Sequence, residues 1–168
     1  MKNLRFSLGI IAAALSLGIG TAVASAASTS TNAAAKVSVA STGIGRILVD
    51  GRGHTLYLFA KDTRGKSTCS GACAGFWPPL IASGKPLAGA GAKSKLLGTT
   101  KRSDGRLQVT YNHHPLYTFA KDVRKGDTNG EALNVFGGKW YALSAAGSKV
   151  GHDSPAAGGN GYGNGYGY

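Results

Sequence analysis

Residues 45–62 occur twice in this chain. A shift of sixty residues lays Gly45-Arg46-Ile47-Leu48-Val49 over Gly105-Arg106-Leu107-Gln108-Val109, and Thr55-Leu56-Tyr57-Leu58-Phe59-Ala60-Lys61-Asp62 over Pro115-Leu116-Tyr117-Thr118-Phe119-Ala120-Lys121-Asp122. Ten of the eighteen positions in 45–62 are identical without a gap. A thinner likeness continues through Arg64 and Arg124, Thr68 and Thr128, Ala72 and Ala132, and Phe76 and Phe136. Self-similarity of this density means one supersecondary unit used twice. A single unit is too short to bury a core, so each copy is expected to complete the other.

The ends of the chain lie outside that repeat. Lys2 and Arg5, an apolar run over residues 8–17 and the small-residue site Ala24-Ser25-Ala26 form the three parts of a secretory signal over residues 1–26. No cysteine stands near the cleavage site to carry a lipid, and no transmembrane segment is expected after cleavage. Residues 27–42 are mostly Ala, Ser and Thr and read as a flexible linker. Residues 149–168 become Gly, Asn and Tyr and read as a disordered tail.

Between them the pattern is all-β. Residues 46–50 and 55–59 are strand-like runs joined by Asp50-Gly51-Arg52-Gly53, a hairpin, and residues 107–111 and 116–119 repeat it around Asn112-His113-His114-Pro115. Further strands are expected over 96–101 and within 135–143, and residues 82–95 read as a mobile surface loop. In an extended strand Tyr57 and Phe59 share one face, and Leu56 and Leu58 the other, so this strand should be covered on both sides. The expected architecture is a compact domain over 43–148 of two pseudo-symmetric antiparallel hairpin repeats, units 45–82 and 105–143, with long loops. Its core should hold Leu56, Tyr57, Phe59, Leu116, Tyr117, Phe119 and Trp140. Phe76 and Trp77 cap that core if buried, and form a ligand platform if exposed.

The 19 basic residues outnumber the 7 acidic ones, for a formal net charge of +12, and only two of the basic residues lie in the leader. Export removes nucleic acid as a natural partner, which leaves anionic cell-envelope polymer as the partner that such a charge suits. The equivalent loops of the two units carry Lys61, Arg64, Lys66 and Lys121, Arg124, Lys125 as candidate polymer-binding residues. Cys69 and Cys73, the only cysteines, read as one disulfide in an oxidising compartment, with a redox-active or metal-binding pair as the alternative. Asp62 and Asp122 read as Asx-turn residues that bond amides two positions on, against the alternative of a metal ligand or general base. His54, His113 and His114 lie near the hairpin turns and would hold copper or zinc if the turns met. No triad, zinc helix, phosphate loop or nucleotide fingerprint is present, so no catalytic role and no cofactor are expected. The sequence fixes no oligomeric state.

Tyr57-Leu58-Phe59-Ala60-Lys61-Asp62 and Tyr117-Thr118-Phe119-Ala120-Lys121-Asp122 each fit the motif Tyr-x-(Phe/Trp/Tyr)-x-x-Asp. Together with Cys69-Ser70-Gly71-Ala72-Cys73, Trp77-Pro78-Pro79 and Gly137-Gly138-Lys139-Trp140-Tyr141, they make the chain resemble the bacterial secreted-repeat family of predicted lipoproteins. The resemblance implies an exported, repeat-built envelope protein and carries no established activity. The missing lipobox cysteine withholds the lipid anchor. Two functions follow as expectations: a non-catalytic cell-envelope or extracellular module, and, from another class, a periplasmic metal-binding or redox accessory protein.

Overall fold

A computed structural model describes residues 34–63 and 65–150. The leader, the start of the linker, Arg64 and the tail beyond residue 150 lie outside the described residues. The elements run β1 (Lys36–Thr42), β2 (Gly45–Asp50), β3 (Tyr57–Phe59), the five-residue helix α1 (Ala72–Phe76), β4 (Leu87–Ala88), a 3-10 turn (Ser94–Leu96), β5 (Leu97–Lys101), β6 (Leu107–Tyr111), β7 (His114–Pro115), β8 (Asn134–Val135) and β9 (Gly138–Ala142). They form three three-stranded sheets, ordered β2-β1-β4, β3-β9-β8 and β5-β6-β7, antiparallel except where β4 lies parallel to β1. The fold is all-β, as the alternating pattern requires.

Two expectations are corrected at the edges. Residues 36–42 are not linker: β1 runs antiparallel to β2 from Val37 opposite Asp50 to Thr42 opposite Gly45, and Val37 is fully buried. Its Ser and Thr suit a strand with one face half-exposed, and the scarcity of large side chains hid it. Residues 82–95 also carry structure, since β4 pairs with β1 and Val39 N–H donates to Ala90 O at 2.8 Å.

The two copies share a topology with small slips in register. Val39 faces Leu48 in the first copy, and Thr99 faces Val109 in the second. Leu48 therefore corresponds to Val109, not to Gln108 as the gapless alignment has it. The turn joining β1 to β2 closes on Thr42 and Gly45, while that joining β5 to β6 closes on Arg102 and Arg106, one residue longer. The following turn compensates: it closes on Asp50 and His54 in the first copy, and on Tyr111 and His114 in the second, one residue shorter. Asn112 and His113 both have positive φ, 47° and 65°, the conformation of a two-residue type I′ hairpin. A slip of one residue exchanges strand faces. It puts Leu48 and Val109 in one core and leaves Gln108, fully buried, in the place of Ile47.

The copies also exchange their last strands. Tyr57 and Tyr117 are bonded reciprocally, N–H to O at 2.8 and 3.0 Å. β3 of the first copy then pairs with β9 of the second, while Thr118 and Ala120 of the second copy donate to Pro78 and Phe76 of the first. Val109 N–H donates to Leu80 O, and Leu48 N–H to Leu143 O, so each copy's final segment lies on the other's hairpin. β3 has apolar groups on both faces, and both are covered. Tyr57 and Phe59 enter one core with Trp77, Tyr117, Phe119 and Trp140; Leu56 and Leu58 enter the other with Val109, Leu116 and Leu143. All seven expected core residues are buried.

Candidate functional site

The repeated motif converges at the centre of the first core. Tyr57 Oη donates to Asp122 Oδ2 at 2.6 Å and Tyr117 Oη to Asp62 Oδ2 at 2.7 Å, so each copy's tyrosine holds the other copy's aspartate. Four rings stack beside them in the order Phe119, Trp77, Trp140, Phe59. The two indoles are 3.8 Å apart and within 4° of parallel, and each outer ring lies 4.2 or 4.1 Å from its indole. Tyr57 meets Trp77 edge-on, and Tyr117 meets Trp140 edge-on, at 5.3 and 5.1 Å. The edge-on pairs fall in the roughly 4.5–7 Å range of favoured aromatic pairs, the stacked rings lie closer than that, and the burial of such large rings dominates the core. Gly130 is required beside them, because a Cβ there would stand 2.7 Å from Trp77 and 2.9 Å from the Tyr57 ring.

Asp122 does not form the short Asx-turn expected of it, since Arg124 N–H donates to Asp127 Oδ2 instead; for Asp62 that turn would rest on Arg64, which lies outside the described residues. Asp62 Oδ1 accepts from Thr68 N–H and Thr68 Oγ1, six residues on, and Asp122 Oδ1 accepts from Asn129 N–H, seven residues on. Each carboxylate therefore closes a wide loop with one oxygen and meets a tyrosine of the other copy with the other. Burial is the main influence on both groups and pushes both carboxyls above the usual range, against the hydrogen bonds that favour their ionised forms. Burial and the facing carboxylate also push both tyrosine hydroxyls far up, so each remains a donor.

A buried cation that sequence reasoning missed supports one side. Arg102 is 5% exposed and donates to Ser67 Oγ, Gln108 Oε1 and Cys69 O, each at 2.7 Å. Ser67 Oγ is 2.7 Å from Tyr117 Oη, which links the guanidinium to the Tyr117–Asp62 pair. Arg102 reads in sequence as one more surface cation; the signal was Gln108, a polar residue where the repeat has an aliphatic one.

The outer edge of the stack opens to the surface. A cleft of about 490 Å³ has Trp77 and Phe119 among its lining, with Phe76, Leu133, Phe136 and Lys121 around them. Phe76 is 50% exposed and Phe136 39% exposed, with ring centroids 5.9 Å apart. Lys61, exposed, lies across Gly137 and Gly138. The expected aromatic group is thus divided, Trp77 buried in the stack and Phe76 at the surface.

A family model described as a secreted repeat of unknown function matches residues 38–81 and 98–144, more than half of the chain. The chain belongs to this family. No curated protein and no solved structure matches it. The two matched segments of this secreted repeat contain the two structural copies, and the first takes in most of β1. No helix among the described residues is long and apolar enough to cross a membrane.

The remaining candidate residues divide by position. Cys69 and Cys73 of the secreted repeat are joined in a disulfide, 1% and 7% exposed, and their core neighbours include Trp77. His54 Nδ1 is 3.4 Å from Asp50 Oδ2 at the first hairpin turn. His113 is exposed at the second, and His114 is half-buried, its imidazole pushed below the usual range by burial, Lys149 and His113. Among the described residues no group of three His, Cys, Asp or Glu is placed to hold a metal, so the three histidines do not make the cluster expected if the turns met. Lys61, Lys66, Lys121, Arg124 and Lys125 are all exposed. Lys121 lines the cleft and Lys61 packs along Gly137 and Gly138, while Lys125 packs along Gly53 where the second copy's loop docks, Gly126 N–H to Gly53 O at 3.1 Å.

Proposed function

We propose that this secreted protein is a non-catalytic module of the cell envelope or extracellular space that binds anionic polymer through the cationic loops of its two copies. The observation that carries the reading is the fate of the Lys-Asp pair ending each motif. In both copies the lysine is exposed while the adjacent aspartate turns inward, where a tyrosine hydroxyl and a backbone amide occupy its oxygens. Each loop therefore keeps its positive charge at the surface and withdraws the negative charge that would offset it. Exposed cations spread over loops suit a polymer with regularly spaced anions, for which affinity comes from many weak, screened contacts.

The test is co-sedimentation of the chain, freed of its leader, with purified cell envelope across a salt series. Binding should fall steeply between low and moderate salt, within the range where the screening length drops from about 30 Å to about 10 Å. Replacing Lys61, Lys66, Lys121, Arg124 and Lys125 by Gln should abolish it at every salt concentration. Protein that stays in the supernatant throughout, or binding that is insensitive to salt, contradicts the proposal.

A further inference from the structure

Resting on the anionic-polymer reading, we propose that the cleft between α1 and the β8–β9 turn is a saccharide subsite: it takes a sugar unit of an anionic glycan, with Phe76 and Phe136 against ring faces and Lys121 on the acid group.

The cleft forms where the two copies differ. In the first copy Trp77 N–H closes on Cys73 O, through the single turn of α1; in the second Trp140 N–H closes on Leu133 O, three residues further back. The extra residues form the β8–β9 hairpin, and its tip is Phe136-Gly137. Phe76 at the end of α1 and Phe136 at that tip thus come from different copies and meet at the end of the aromatic stack. Neither adds to the core, and both are large apolar groups left in water. Phe136 is also held at φ 57°, a left-handed conformation that costs a residue with a Cβ roughly 1–2 kcal/mol and that Gly or Asn adopts readily. A bulky residue kept exposed and strained at a position suited to Asn points to a use outside folding.

The chemistry of the lining selects the occupant. A cleft of about 490 Å³ falls in the usual range for small-ligand sites, roughly 300–1,000 Å³. Its lining includes one cation, Lys121, and no anion. Sugar rings present apolar C–H faces and polar edges, which match aromatic walls beside a lysine, and a uronic acid or phosphorylated sugar brings the complementary charge. A lipid surface would call for apolar groups projecting from a flat basic face; here the rings line a recess.

The experiment compares the leader-free chain with Phe76→Ser, Phe136→Asn and the double variant, titrated with polygalacturonate and with linear polyphosphate at equal charge concentration and fixed salt. Phe136→Asn should unfold at the same or a higher temperature than the parent, so loss of binding is not loss of fold. The expected result is at least a tenfold weakening for polygalacturonate in the double variant with polyphosphate unchanged, while Lys121→Gln weakens both. Aromatic variants that weaken both polymers equally, or neither, overturn the saccharide subsite and leave the anionic-polymer reading standing. If the parent binds neither polymer, both readings fall. Loss of binding to phosphatidylglycerol vesicles alone would make this a lipid-facing patch and would equally overturn the proposal.

Discussion

Tyr57 and Tyr117 each place a phenol hydroxyl within 2.7 Å of a carboxylate that belongs to the other copy. Removing a hydroxyl leaves a buried carboxylate oxygen without its donor, at a cost of roughly 1–3 kcal/mol. Tyr57→Phe should therefore destabilise the fold by about that much, measured by urea unfolding, and much less in an Asp122→Asn background. Equal costs in the two backgrounds would mean that the pair does not interact. The same aspartates set an unusual pH response. Their folded carboxyls sit above the ordinary 3.8 because of burial, so the folded state holds protons more tightly than the unfolded chain. Their contribution is fully present below pH 3.8 and is lost as pH rises through the folded values. Asp104 acts in the opposite sense: Arg106 holds it down at about 2, so its contribution is present above 3.8 and fades as pH falls toward 2. Asp62→Asn with Asp122→Asn should flatten the decline of stability as pH rises above 3.8, and an unchanged slope would contradict the assignment. The motif positions are legible in the sequence because they repeat. Their partners are not, since the hydroxyl and carboxylate that meet are more than fifty residues apart and belong to different copies.

At the scale of elements, strand faces were readable and strand partners were not. The alternation in 55–59 gives two apolar faces, and two cores cover them. Alternation says nothing of which strand lies alongside, so the exchange of final segments, β3 with β9 and 76–80 with 116–120, is a property of the assembled chain. The gapless alignment even misplaces the faces of β6, because a longer turn before the strand and a shorter one after it cancel over the whole repeat. Turn chemistry tests the second hairpin: His113 sits at φ 65°, where glycine pays no steric penalty. His113→Gly should raise the unfolding midpoint, whereas Gly130→Ala, driving a Cβ into Trp77 and Tyr57, should cost about 1–3 kcal/mol. Similar effects of the two substitutions would show that the turn and the ring packing are misplaced. The cleft was hidden for a related reason. Phe76 and Phe136 align at the same shift as the motif, as if equivalent, but one ends a helix and the other tips an inserted hairpin.

The whole molecule is two copies that share their sheets. A chain beginning at residue 43 lacks β1, the fully buried Val37 and the strand to which β4 pairs. It should be unfolded or markedly less stable by thermal denaturation than a chain beginning at residue 33, and equal stability would restore a linker there. Interlocking also explains how a small domain holds many exposed cations at its loops and stays folded: the paired acids, the double indole stack and the disulfide lie inside. The most direct test is to produce residues 33–92 and 93–150 separately and record amide proton–nitrogen spectra of each alone and of the equimolar mixture. Interlocked copies predict collapsed spectra for each half alone and a dispersed, native-like spectrum when they are mixed. A dispersed spectrum from either half alone would contradict the account, because that half would be folding without the other's tyrosine, aspartate and final strand.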